Sequence, residues 1–163
     1  MSNQIVAVSD RPDLAVLVAQ WVVGTFLDYP GGLTVEEMTA LIVAPPVGPE
    51  ETFVLFDHDR PAGTAALVHQ DLETRPDLTP WLAGVFVQPA FRGRGHATAL
   101  VRRVEAFAIA AAVPVLWLYT VKAEPFYARL GWERAGLEKE RHHDVVLMRR
   151  SPAERYQVSS PGH

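Results

Sequence analysis

In the run VFVQPAFRGRGHATALVRRVEAFA, residues 85–108, arginines alternate with glycines between an apolar stretch and a helical repeat. The chemistry this spacing permits is the binding of an anion. Gly93 and Gly95 carry no Cβ, so consecutive backbone N–H groups can turn toward one ligand. A helix opening after them adds its unsatisfied N–H groups and the positive end of its dipole, while Arg92 and Arg94 supply charge. Two other phosphate loops fail on the residues. A Walker loop ends in Gly-Lys-Ser/Thr, absent here, and a dinucleotide fingerprint needs a third glycine where Thr98 stands. On the glycines alone, a surface turn with solvated arginines is an equally good reading.

Such a loop needs a strand to deliver it and a helix to follow it. WLAGVFVQ (81–88) reads as a strand buried on both faces. Ala97, Leu100, Val101, Val104, Phe107, Ala108 and Ala111 form the apolar stripe of a long helix that Pro114 ends. VLWLYT (115–120) is the next buried strand, so the unit predicts a right-handed crossover. Upstream, QIVAVSD opens as a strand, and Ser9 or Asp10 is the expected cap of a helix over RPDLAVLVAQWVVGTF, with Pro12 in its first turn. Thr34 and Glu37 form a capping box for VEEMTALIV. TFVLFD and AGTAALVHQ are strands joined at HDRP, and DLETRPDLTP is a connection too broken for a helix. Downstream, AEPFYARL is a short helix closed by Gly131, followed by two antiparallel strands, WERAGLEKER and DVVLMRR.

With 163 residues, one core is the default: a single domain over 1–150 and a polar tail over 151–163. A net charge of -4 argues against nucleic acid as the main partner, because nonspecific binding to its phosphates needs clustered Lys and Arg and the basic residues of 92–103 are local. The absence of cysteine excludes disulfides, thiolate zinc sites and a Cys nucleophile, and fits a cytoplasmic protein. The first residues do not read as a secretory signal, and no apolar run is long enough to span a membrane.

Two blocks in order carry a resemblance. Arg92, Gly95 and Ala97 fit a signature of Arg or Gln, two residues, Gly, one residue, then Gly or Ala; Phe126, Tyr127, Leu130, Gly131 and Trp132 fit a later block. The chain thus resembles the GNAT superfamily of N-acetyltransferases, strongly over roughly residues 80–150 and by element order before them. The resemblance implies an α/β (α+β) fold with a mixed, mostly antiparallel twisted sheet of about six to seven strands flanked by about four helices. It implies acetyl-CoA as co-substrate, its pyrophosphate held by backbone N–H groups of Arg94, Gly95, His96, Ala97 and Thr98. Arg92 would brace the loop or touch a phosphate from outside. The backbone of Val85, Phe86 and Val87 would pair with the pantetheine arm, the Val87 N–H would polarise the thioester carbonyl, and Tyr127 would be the general acid. Homodimers, common in the family, are implied as an available state.

Acetyl transfer to an amine needs a neutral amine, a stabilised oxyanion and a proton for the departing thiolate. Many family members carry a base on the fourth strand, yet WLAGVFV contains no acid. His69, Asp71, Glu73 and Asp77, or a chain of waters, are the alternatives. Tyr119 is a competing phenol that reads as core, and Trp21, Phe26, Tyr29 and Trp81 either line the acceptor pocket or belong to the core. His142 and His143 read as part of a solvated turn, and even on a strand adjacent histidines would point to opposite faces, so no metal site is expected. The expected function is direct transfer, in a ternary complex, to a primary amine of a small molecule. Transfer to a protein or peptide amine, and acyl-CoA binding without turnover, are the alternatives.

Overall fold

The computed structural model describes residues 2–153; of the expected polar tail, residues 154–163 lie outside the described residues. Seven strands form one sheet: β1 (Gln4–Ala7), β2 (Glu51–Asp57), β3 (Arg60–Val68), β4 (Trp81–Val87), β5 (Leu116–Thr120), β6 (Glu133–Glu140) and β7 (His143–Arg150). Their spatial order is β1-β2-β3-β4-β5-β7-β6, antiparallel throughout except for β4 and β5. Four helices flank the sheet: α1 (Ala15–Phe26), α2 (Val35–Val43), α3 (His96–Ala110) and α4 (Glu124–Arg129). No helix among the described residues is long and apolar enough to cross a membrane.

Period-2 alternation in β2 assigns the two faces. Phe53 and Leu55 pack with Leu100, Val101 and Val104 of α3, whereas Val54 and Phe56 pack with Val18 and Trp21 of α1. A third cluster, built on Leu72, Trp81, Val145 and Leu147, anchors the connection between β3 and β4 against β7. The capping box at α2 forms as its residues predict: Glu37 N–H donates to Thr34 Oγ1 at 3.1 Å, and Thr34 N–H to Glu37 Oε1 at 2.9 Å. At α1 the expected cap is replaced. Pro12–Leu14 is a short 3-10 turn, α1 starts at Ala15 without a side-chain cap, and Ser9 Oγ instead donates to Glu51 Oε1 at 2.6 Å. A carboxylate from the next strand outcompeted the local helix end for that hydroxyl.

β4 departs from the expected strand buried on both faces. Its ladder with β5 is limited to Trp81 opposite Trp117, and Ala83–Phe86 are only partly buried. The cause is local. Gly84 has φ +64°, and the pairing of β3 with β4 slips between Thr64 and Ala66, so a bulge bends β4 away from β5. The crossover through α3 thus joins two parallel strands that pair at Trp81 and Trp117 and part beyond them.

Helix α3 also buries two polar residues that an apolar stripe does not predict, His96 and Glu105. Glu105 is fully buried. Its Oε1 accepts from Arg102 at 2.8 Å, its Oε2 accepts from Trp132 Nε1 at 3.0 Å, and Arg150 Nε lies 3.3 Å from Oε2. Arg102 also donates to the Leu130 carbonyl at 3.0 Å, and Arg150 to that of Gly131 at 2.9 Å. This carboxylate therefore ties α3 to the end of α4 and to β7. Glu105→Gln keeps the shape but leaves Arg150 without its counter-charge, and should destabilise the fold by about 1–3 kcal/mol in urea denaturation.

Candidate active site

Where β4 parts from β5, a cleft of about 440 Å³ opens. Its walls are Val85, Phe86 and Val87 of β4, Phe91, Arg92, Gly93 and Gly95 of the following loop, and His96, Ala97 and Thr98 of α3, with Thr25, Phe26 and Phe126 from the flanks. Gly93 and Gly95 sit at φ +82° and +81°, the left-handed region that glycine enters without a Cβ clash. Gly95 is the N-cap of α3, and no side chain caps that helix. The first N–H groups of α3 have no partner within the helix, and the residues carrying them line the cleft. Such an arrangement of unpaired N–H groups can hold an anion.

The strand edge facing the cleft follows from alternation. Gln88 N–H donates to Ala62 O of β3 at 2.8 Å. Backbone groups alternate sides along a strand, so the N–H and C=O of Val87 and Val85 face away from β3, into the gap left by β5. The Val87 carbonyl accepts from Arg92 Nε at 2.8 Å, so Arg92 braces the strand end while its guanidinium rests over Phe86. Arg94 turns the other way. It is not part of the cleft wall and donates to Asp57 Oδ2 at 2.7 Å. Asp57 also lies 2.8 Å from both His96 Nε2 and His58 Nδ1; His58, then His96, then Arg94 hold its carboxyl well below the usual carboxylate range.

Tyr127 lies next to the cleft through its neighbour Phe126 but is not itself a wall residue. Its ring is packed edge-on against Phe126 and Trp132 and is 8% exposed. Burial pushes its phenol up to about 12, which keeps it protonated across the neutral range. Tyr119 packs edge-on against Trp81, and burial, followed by the neighbouring Asp71 and Glu140 carboxyls, raises its phenol as well.

Three loops meet beyond β4 and β5. Arg141, at the tip of the β6–β7 hairpin, stacks its guanidinium 3.4 Å from the centre of the Tyr29 ring in the α1–α2 loop. The β3–β4 connection is fastened to β6 by Thr74 Oγ1 donating to Lys139 O at 3.1 Å and by Arg75 on Glu138 at 3.0 Å. Asp71 in that connection is half-buried, and burial, with a smaller push from Glu140, raises its carboxyl to about 7. The other acids and the histidine of this stretch are placed differently. Asp77 pairs with Arg75 at the surface, Glu73 is exposed, and His69 Nδ1 meets Thr79 Oγ1 at 3.1 Å.

The sequence profile of the acetyltransferase (GNAT) family matches residues 24–132. The chain belongs to this family. Solved structures share the fold at low identity. An aminoglycoside 6′-N-acetyltransferase complexed with coenzyme A is 14% identical, with a TM-score of 0.73 over 91% of this chain and 97% of that one. A spermidine N-acetyltransferase variant from Vibrio cholerae is also 14% identical, with a TM-score of 0.71 over 97% and 98%. A GNAT acetyltransferase from Streptococcus pneumoniae is 19% identical, with a TM-score of 0.66 over 91% and 98%. No curated protein sequence matches the chain.

As a GNAT acetyltransferase the protein uses acetyl-CoA, and the residues present fit it: an uncapped helix N-terminus for the pyrophosphate and a free strand edge for the amide-bearing arm. The fold brings Val85, Phe86, Val87, Arg92, Gly95, His96, Ala97 and Thr98 to one cleft, and leaves Arg94 and Tyr127 outside its wall. Of the aromatics considered for an acceptor pocket, Phe26 lines the cleft and Tyr29 stacks with Arg141. Trp81 is fully buried and Trp21 packs on Phe86. Asp57 was not foreseen: a lone acid at a strand end carries no signal of the two residues it will meet some forty positions later.

Proposed function

We propose that this acetyltransferase moves an acetyl group from acetyl-CoA directly to a primary amine of a small molecule in a ternary complex. The observation that carries the reading is the uncapped N-terminus of α3, set on two left-handed glycines beside the open edge of β4. Acetyl-CoA when bound supplies the thioester acyl group. The N–H groups of the loop and of the first turn of α3, from Arg94 to Thr98, hold its diphosphate, and the edge at Val85–Val87 aligns its arm. The Val87 N–H, directed into the gap, donates to the carbonyl oxygen as charge develops there. Tyr127 donates its O–H to the departing sulfur. A phenol near 12 is a weaker acid than a thiol near about 8.5, so Tyr127 stabilises the thiolate by a shared proton rather than by early release.

Asp71 is the base this reading selects, because its carboxyl near 7 can accept the amine proton at neutral pH. We take the Arg141–Tyr29 stack, which links the α1–α2 loop to the β6–β7 turn, as support for a small acceptor, since a peptide would need these two loops apart. Asp71 and Glu140 beside it suit a cationic amine before it loses its proton.

Calorimetry with acetyl-CoA, followed by initial-rate kinetics on a panel of amines, tests the proposal. One-site binding with intersecting rate patterns is expected; a ping-pong pattern excludes direct transfer. Binding without thiol release from any amine leaves an acyl-CoA-binding module instead. Asp71 gives a separate prediction. Its folded carboxyl is raised above the unfolded value, so the folded state holds the extra proton and loses stability as pH rises from about 4 to about 7. Asp71→Asn should therefore gain Tm relative to the parent at about pH 8 and not at about pH 4. In kinetics the parent's rate should rise with pH through about 7, and the variant should lack that limb.

A further inference from the structure

Asp57 ends β2 and faces Arg60 across the tight His58–Asp59 turn, where His58 takes φ +60°. Its side chain is 8% exposed. One oxygen, Oδ2, receives Arg94 at 2.7 Å and His96 at 2.8 Å, the residues immediately before and after Gly95. The other, Oδ1, meets His58 at 2.8 Å. A single carboxylate thus grips both flanks of the left-handed residue that begins α3, from a strand on the far side of the loop. It also accounts for Arg94, whose guanidinium is directed to Asp57 rather than into the cleft.

We propose that Asp57 is a positioning residue of the coenzyme A site, which by holding Arg94 and His96 fixes the Gly95 turn so that the first N–H groups of α3 face the cleft. The inference rests on the reading that this loop holds the diphosphate. Its sign separates it from simple electrostatics. A carboxylate near an anion site repels the ligand, so a role through charge alone predicts tighter binding when the charge is removed and Arg94 is freed. A positioning role predicts the reverse.

The test is calorimetry of parent and Asp57→Asn with coenzyme A and with 3′-dephospho-coenzyme A, folding being checked by thermal melting. We expect the variant to lose about tenfold in affinity, to the same extent for both ligands, because the loop addresses the diphosphate they share. Equal or tighter binding by a folded variant overturns the role of Asp57 while leaving the site assignment intact. A loss confined to coenzyme A also overturns it, since that places the effect at the 3′-phosphate. Failure of the parent to bind either ligand removes the site and the inference together. Should Asp57→Asn not fold, Arg94→Ala reads the same contact from its half-exposed side. Weaker binding with an unchanged salt dependence supports action through Asp57, and a flattened salt dependence shows that Arg94 meets phosphate directly and overturns the proposal.

Discussion

Replacing Tyr127 by phenylalanine is expected to lower kcat by about 10²- to 10⁴-fold, the range for loss of a positioned proton donor, while acetyl-CoA binds as before. The separation of the two effects follows from where the residue sits. The ring fills a site between Phe126 and Trp132, and phenylalanine keeps that packing, so the cleft wall at Phe126 does not move. Phenylalanine differs from tyrosine only by the hydroxyl, so the substitution leaves these ring contacts in place. What disappears is the O–H that the proposed mechanism offers to sulfur. Because burial raises the phenol to about 12, the parent's rate should show no alkaline decline from this group until pH nears that value. Single-turnover rates with saturating acetyl-CoA and an accepted amine measure the effect. A kcat within about threefold of the parent would return Tyr127 to a packing role.

Gly95→Glu should abolish measurable acetyl-CoA binding. Two costs add. The residue holds φ +81°, where any side chain is strained by about 1–2 kcal/mol. The larger cost is ligand repulsion: a carboxylate about 4 Å from a phosphate oxygen is unfavourable by about 4 kcal/mol at an effective dielectric of about 20. The repulsion alone corresponds to a ~10³-fold loss of affinity. Gly95→Ala separates the two. No atom lies within 4 Å of a Cβ built there, so alanine meets only the backbone strain and should fold with a modest loss of Tm and of affinity. Calorimetry on both variants, with melting curves as the folding control, is the measurement. Unimpaired binding by a folded Gly95→Glu protein would remove the diphosphate assignment.

Local chemistry was legible wherever a residue's neighbours in sequence are its neighbours in space. The capping box of Thr34 and Glu37, the helix stop at Gly131 with φ +98°, and the glycine turn before α3 are all short-range devices, and each forms where its residues predict. The cleft residues from Val85 to Thr98 are consecutive or nearly so, which is why their grouping survived folding. Failures came where a distant group intervened. Ser9 left its helix for Glu51. His96 and Glu105 went inside because partners from other elements satisfy them.

The order of elements, the family and the glycine turn before α3 were therefore determined by the sequence itself, since periodicity, caps and turn residues act over a few positions. Only the tertiary structure decided that β4 and β5 separate after one pair, that Arg94 turns from the cleft to Asp57, and that burial raises the carboxyl of Asp71. These depend on burial and on contacts between residues far apart in the chain, and a side chain's charge state and direction are set by those surroundings, not by its neighbours in sequence.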